Sequence, residues 1–128
     1  MIDSLVCDTS TPPLLVVCLC AEWCEVCREY KARFEQVREA IQLDHPAARF
    51  VWLDVEDEAD FLHPLEVDNF PTLLIGLGTT PRFWGAITAQ AATLERMVRA
   101  VQHDVNPITL NNSELAALMA RIAHNPAK

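Results

Sequence analysis

Leu14–Cys20 (LLVVCLC) is a continuous apolar run rich in valine, with no polar residue to mark an outward side. A strand covered on both faces reads this way, so the run predicts a buried strand of the kind found in parallel sheets. After a turn over Ala21–Cys24 the period changes. Val26, Tyr30, Phe34, Val37 and Ile41 recur at helical spacing with charges between them, which predicts a helix from about Cys24 to Leu43. Asp44-His45-Pro46 ends it. Arg49–Val55 (RFVWLDV) predicts a second strand, followed by the acidic run Glu56-Asp57-Glu58 and a short helix over Ala59–Leu65. Pro71–Leu77 (PTLLIGL) predicts a third strand, Gly78–Thr80 a turn, and Pro81–Trp84 a paired strand ending at Gly85. Ala89–His103 predicts a helix whose apolar positions are Ala92, Leu94, Met97, Val98 and Val101, broken by Asn106-Pro107. A last helix is expected over Ser113–His124. Leu115, Leu118, Met119 and Ile122 form its stripe, and Asn111 stands three residues before Glu114 as in a capping box. Ser4–Cys7 reads as an edge strand ahead of Pro12-Pro13. The alternation of strands and helices predicts an α/β layer, with right-handed crossovers between its parallel strands.

Composition narrows the function classes. At 128 residues and 51% hydrophobic, the chain suits one domain with a sizeable core. A net charge of −8 argues against a nucleic-acid partner and against docking on anionic membranes, and its plain reading is solubility. Leu14–Ala21 is too short to span a bilayer, and the start Met-Ile-Asp-Ser has no basic region of the secretory kind. The five cysteines, Cys7, Cys18, Cys20, Cys24 and Cys27, do not pair evenly. That fits a reducing compartment, so the expected location is cytoplasmic.

The candidate chemistry sits in Trp23-Cys24-Glu25-Val26-Cys27, between a buried strand and a helix. A helix start offers unpaired N–H groups and a partial positive charge, which favour a thiolate on the first cysteine. Cys24 is therefore expected to attack a substrate disulfide. Cys27, one turn in, is expected to resolve the mixed disulfide. The alternatives are a zinc knuckle and inert core cysteines. Zinc commonly takes four ligands from two such pairs; there is no second CxxC, and His45, His63, His103 and His124 stand singly, so no metal is expected. Cys18 and Cys20 alternate along a strand and share a face, as buried small hydrophobes would.

Ala21-Glu22-Trp23-Cys24-x-x-Cys27 after an apolar strand resembles the active-site segment of the thioredoxin family. Asn69-Phe70-Pro71-Thr72-Leu73 is similar to that family's cis-proline loop, and Gly85-Ala86 to the glycine after its hairpin. The resemblance covers roughly residues 14–104. It implies a thioredoxin-like fold, a central mixed sheet flanked by helices, over residues 1–105. Residues 106–128 would form an extra C-terminal helix packed on the same domain. It implies dithiol–disulfide exchange with protein disulfides, no organic cofactor, and electrons from a reductase or a small thiol. It further implies that Pro71 is cis and lies beside the cysteines. Trp23, Phe70, Pro71, Thr72, Gly85 and Ala86 would then line a substrate groove, in which an extended peptide pairs with the Phe70 backbone.

The chain also departs from the family pattern. Glu25-Val26 replaces the usual Gly-Pro, and a carboxylate beside the nucleophile opposes thiolate formation. The buried acid of the family falls by spacing at Cys18, its lysine partner at Trp52, and a frequent tryptophan at Cys20. Proton handling for Cys27 is accordingly expected to be different or slower. The lead before residue 14 is shorter than in the full fold, which implies that the first helix is missing. Two rival functions follow: a binding module or assembly chaperone that keeps the groove without turnover, and a redox sensor whose disulfide switches partner binding.

Overall fold

The computed structural model describes residues 13–87, 91–103, 110 and 112–124, with no side-chain description for 91 and 103. The expected strand at Ser4–Cys7, the expected loss of a first helix, and the break at Asn106-Pro107 lie outside them. The described elements are β1 (Leu14–Cys20), α1 (Glu25–Asp44), β2 (Arg49–Asp54), α2 (Ala59–Leu62), β3 (Thr72–Leu77), β4 (Thr80–Ala86), α3 (Ala91–His103) and α4 (Ser113–Ala123). The four strands form one mixed sheet in the order β2-β1-β3-β4. β1 runs parallel to β2 and antiparallel to β3, and β3 is antiparallel to β4. Every residue of β1 is buried, as its unbroken apolar run requires.

Alternation along β1 supplies two separate cores. Leu14, Val16, Cys18 and Cys20 face one way, into a cluster with Cys27, Tyr30, Phe34, Val37 and Ile41 of α1 and Leu94 and Val98 of α3. Leu15, Val17 and Leu19 face the other way, onto Leu115, Leu118, Met119 and Ile122 of α4. The amphipathic stripe of the last helix is thus wholly covered by the sheet. α1 and α3 pack together, while α4 lies against β4 and α2. Arg49 donates from Nη1 to the Ile122 carbonyl at 2.9 Å, and Arg121 from Nε to the Phe61 carbonyl at 2.9 Å, tying α4 to β2 and α2.

Several details correct the expectations. The inward stripe of α1 begins at Cys27, and Val26 is 46% exposed. Both positions lie within helical spacing of Tyr30, so the pattern alone did not separate them. Ala92 faces solvent on α3. The cap of α4 is Asn112: its side chain accepts from the N–H groups of Glu114 (2.9 Å) and Leu115 (3.1 Å), the second and third helical residues that a cap serves. α2 stops at Leu62, short of the expected Leu65, because Pro64 cannot continue a helix. Gly76 has a specific steric reason. A Cβ there would strike the Met119 side chain and come within 2.5 Å of the Thr80 carbonyl oxygen, so the glycine lets α4 close onto the sheet beside an irregularity in the β3–β4 register.

Candidate functional site

Cys24 occupies the N-cap position of α1, in extended backbone (φ −81°, ψ 117°), with no side chain capping the helix. Its own N–H donates to the Ala21 carbonyl at 3.0 Å, closing the turn that leaves β1. The first N–H groups of a 20-residue helix therefore lie beside a half-buried thiol, with their positive end unspent. One turn on, Cys27 points into the core and is 1% exposed. Burial, reinforced by a hydrogen bond with Cys20, pushes its thiol well above the usual range; a backbone hydrogen bond from Ala21 works in the opposite direction. The four described cysteines are free thiols.

The groove residues gather around this pair. The peptide between Phe70 and Pro71 is cis. The Phe70 ring meets Trp23 edge-on, with centroids 5.6 Å apart and planes at 90°, and Phe70 and Cys24 both pack against the same core cluster. Trp23 is 62% exposed and, with exposed Val26, leaves an apolar rim around Cys24. Glu25 is also exposed. Thr72, buried at the start of β3, donates from Oγ1 to the Asn69 carbonyl at 2.5 Å and fixes the loop before the proline. Gly85 pairs with Leu73 and Ala86 with Thr72, so both run alongside this loop. Among the described residues, a Cβ at Gly85 would meet only the Phe83 ring, at 3.5 Å, so their packing does not demand glycine there.

A cleft of about 710 Å³ opens beside Cys27, which forms part of its wall with Glu22, Lys31, Trp52, Asp54 and Asp57. Asp54 clasps this region. Its carboxylate accepts from the backbone N–H groups of Glu22 (2.8 Å), Glu56 (2.9 Å) and Asp57 (3.0 Å). Burial disfavours its charged form, but the three donors together outweigh that and hold the carboxyl below its usual value. The Glu22, Asp54 and Asp57 carboxylates approach within 4.8 Å of one another. Asp54 already serves as a loop clasp, joining the strand end of β2 to the turn that carries Trp23 and Cys24.

Cys18, at the position of the family's acid, and Cys20 both lie in the buried cluster that holds Cys27; of the two, Cys20 is the one that raises the Cys27 pKa. Both lie on the α1 face, but Cys20 ends β1 at the start of the active-site turn. Cys18 sits one pleat deeper, in register with Trp52. Trp52 packs edge-on to Phe34 and carries the Lys31 ammonium 5.8 Å above its ring. Tyr30 is a second residue whose part was missed. Its fully buried hydroxyl has no hydrogen-bond partner among the described residues, and burial, followed by the proximity of Cys18 and Cys20, raises its pKa. The sequence signal was present in both cases, as an in-phase Cys-x-Cys and an aromatic on the inward stripe, but each also reads as plain core.

No described helix is long and apolar enough to cross a membrane. A search of curated proteins finds no match. Among solved structures, the chain is similar to the thioredoxin of Trypanosoma brucei brucei, at 21% identity over 81% of this chain and 88% of that one, with a TM-score of 0.56. It is similar to mitochondrial thioredoxin 3 of Saccharomyces cerevisiae, at 22% identity over 77% and 88%, with a TM-score of 0.56. It also resembles human ERp44 in its zinc-bound form, at 18% identity, with a TM-score of 0.64; there it covers 80% of this chain but 29% of the other. These likenesses establish the fold. The profile of the family described as Thioredoxin matches residues 5–102, a span that holds the whole sheet, the cysteine pair and the cis-proline loop, and the chain belongs to the thioredoxin family.

Proposed function

We propose that the protein is a thiol–disulfide oxidoreductase that exchanges its Cys24/Cys27 dithiol with protein disulfides. One observation carries the reading: a half-buried cysteine caps an otherwise uncapped helix, with a second, buried cysteine one turn below it. The two environments suit two roles. Cys24, facing the rim and the helix N–H groups, attacks a substrate sulfur and releases the other substrate sulfur as a thiol. Cys27, shielded from solvent, then attacks Cys24 in the mixed disulfide, frees the second substrate thiol and leaves Cys24–Cys27 oxidised. A reductase or a small thiol in a reducing compartment, the cytoplasm on this reading, would restore the dithiol. Trp23, Phe70 and Val26 offer the apolar contact for the substrate, and the backbone at Phe70–Pro71 an edge for an extended peptide.

A second reading, a redox sensor or binding module with little turnover, draws support from the Cys27 environment. Its proton is held tightly, and its thiol neighbours are other thiols rather than a carboxylate. Insulin reduction driven by dithiothreitol separates the two. Acceleration over dithiothreitol alone supports the oxidoreductase; a rate equal to that background supports the sensor or module. Cys27→Ser is expected to accumulate a mixed disulfide through Cys24. Equal trapping by Cys24→Ser would reverse the assigned roles.

A further inference from the structure

Two buried nucleophiles, Cys18 and Cys20, are left unused by the exchange just described. Their Sγ atoms lie 3.7 Å apart on the α1 face of β1, and both residues are at most 1% exposed. Cys27 shares this buried cluster with Cys20 and Cys18, and Cys24 packs against it; Cys20 and Cys24 both act on the Cys27 thiol. The four cysteines therefore lead inward from the half-buried Cys24 through Cys27 to Cys20 and Cys18. No three of them come within 4.8 Å of one another, so the arrangement is a file rather than a cluster built around a metal ion.

We propose that Cys18 and Cys20 are a second redox couple, and that oxidising equivalents taken in at Cys24–Cys27 pass inward to it through Cys27. The proposal rests on the oxidoreductase reading of Cys24 and Cys27. The transfer takes two exchanges. Cys20 attacks the Cys27 sulfur of the Cys24–Cys27 disulfide; the Cys24–Cys27 bond breaks, Cys20–Cys27 forms, and Cys24 leaves with the proton that Cys20 gives up. Cys18 then attacks Cys20; Cys18–Cys20 forms, and Cys27 leaves with the proton from Cys18. No electrons enter or leave the protein in these steps. The outer dithiol is restored and can reduce a second substrate disulfide, so the fully reduced protein delivers four electrons in place of two.

The strand geometry permits the inner disulfide but does not make it deep. Residues two apart on a strand have Cα atoms about 6.6 Å apart, just inside the upper limit of about 6.8 Å for a disulfide. A bridge at that limit is more readily reduced, which lets the couple return its equivalents to Cys27. The inward step is slow. Cys20 is kept protonated chiefly by its hydrogen bond with Cys18 and then by burial, and the thiolate is the attacking species.

The test counts thiols during oxidation. Reduced full-length protein carrying Cys7→Ala, which leaves only these four cysteines, is treated anaerobically with diamide. Samples are quenched and unfolded in acid, alkylated, and mapped by mass spectrometry. The expected course is biphasic: two thiols lost rapidly as Cys24–Cys27, then two more over minutes to hours as Cys18–Cys20. A loss that stops at two, with Cys18 and Cys20 both alkylated, overturns the relay and leaves the oxidoreductase reading standing. Absence of the rapid Cys24–Cys27 phase overturns that reading itself. The same course is run on Cys24→Ala, where the outer disulfide cannot form. The inner disulfide is expected not to appear; if it forms at the wild-type rate, the oxidant reaches the core directly and the inward route is refuted.

Discussion

The two faces of the sheet are built from the same strand and are chemically unlike. On the α1 side, β1 contributes two thiols, and α1 adds Cys27 and the Tyr30 hydroxyl, which has no partner among the described residues, to an otherwise apolar cluster. On the α4 side, β1 contributes Leu15, Val17 and Leu19 to a cluster of buried leucine, valine, isoleucine and methionine, and the buried hydroxyl on that face, Thr72, is paired with the Asn69 carbonyl. One face holds groups that ionise and exchange bonds; the other holds, in the main, groups that exclude water. Period-two alternation lets one seven-residue strand serve both purposes, because neighbouring side chains never share a face.

The largest effect should come from the reactive face. Cys24→Ser removes the nucleophile and is expected to abolish insulin reduction while leaving the unfolding midpoint nearly unchanged, since this thiol is only half-buried. Residual turnover above the dithiothreitol background would assign the attack to another cysteine. On the insulating face, Leu118→Ala should do the reverse. Leu118 is fully buried, so its truncation is expected to cost about 2–5 kcal/mol in urea unfolding, with turnover per folded molecule retained. A cost below about 1 kcal/mol would mean that α4 contributes little to the fold.

Alkaline pH should act on one face alone. Cys20, Cys27 and Tyr30 all have raised pKa values in the fold, so the folded chain keeps protons that the unfolded chain releases. Stability is then complete below the ordinary thiol value of 9.0 and falls as pH rises beyond it. Each retained proton contributes a slope of about 1.4 kcal/mol per pH unit. Urea titrations from pH 8 upward should show the decline, and a double Cys20→Ala/Cys27→Ala variant should show a shallower one. An equal slope in that variant would place the titrating groups elsewhere. The smallest change is expected for Tyr30→Phe. Removing an unpartnered buried hydroxyl while keeping the ring should leave stability unchanged or raise it by about 1 kcal/mol. A clear loss of stability would show that the hydroxyl has a partner, such as an ordered water.

The difference between the faces also governs what the sequence could reveal. Element positions were legible because local patterns decide them: the apolar run of β1 and the helical spacing of α1 each appear within one window. Cys24 and Cys27 stood out because their CxxC lies where an apolar run gives way to a helix, and Phe70–Pro71 because the resemblance supplied the second landmark. The part of Cys20 beside Cys27 was not legible, for a physical reason. Alternation tells which face a residue takes, but not which of two same-face thiols lies against the next helix. Val26 and Cys27 were confused because positions three and four residues before Tyr30 both fit one stripe. Asn112 was passed over for Asn111 because either asparagine suits a cap until backbone geometry selects one. The need for glycine at position 76 arises from Met119, forty-three residues away, and no local pattern contains that contact.

The placement of α4 has a consequence for biogenesis. It is the last described element to be synthesised, yet it covers Leu15, Val17 and Leu19 of the first described strand and Leu74 of the third. On the ribosome, the sheet and the helices of the reactive face can emerge and associate while this leucine-rich surface still waits for its cover. The nascent chain thus passes through a stage with its chemistry assembled and its adhesive side uncovered, the kind of species that chaperones hold. Emergence of α4 ends that stage. The apolar side of the sheet is covered by residues that follow the sheet in the chain, not by those that do the chemistry.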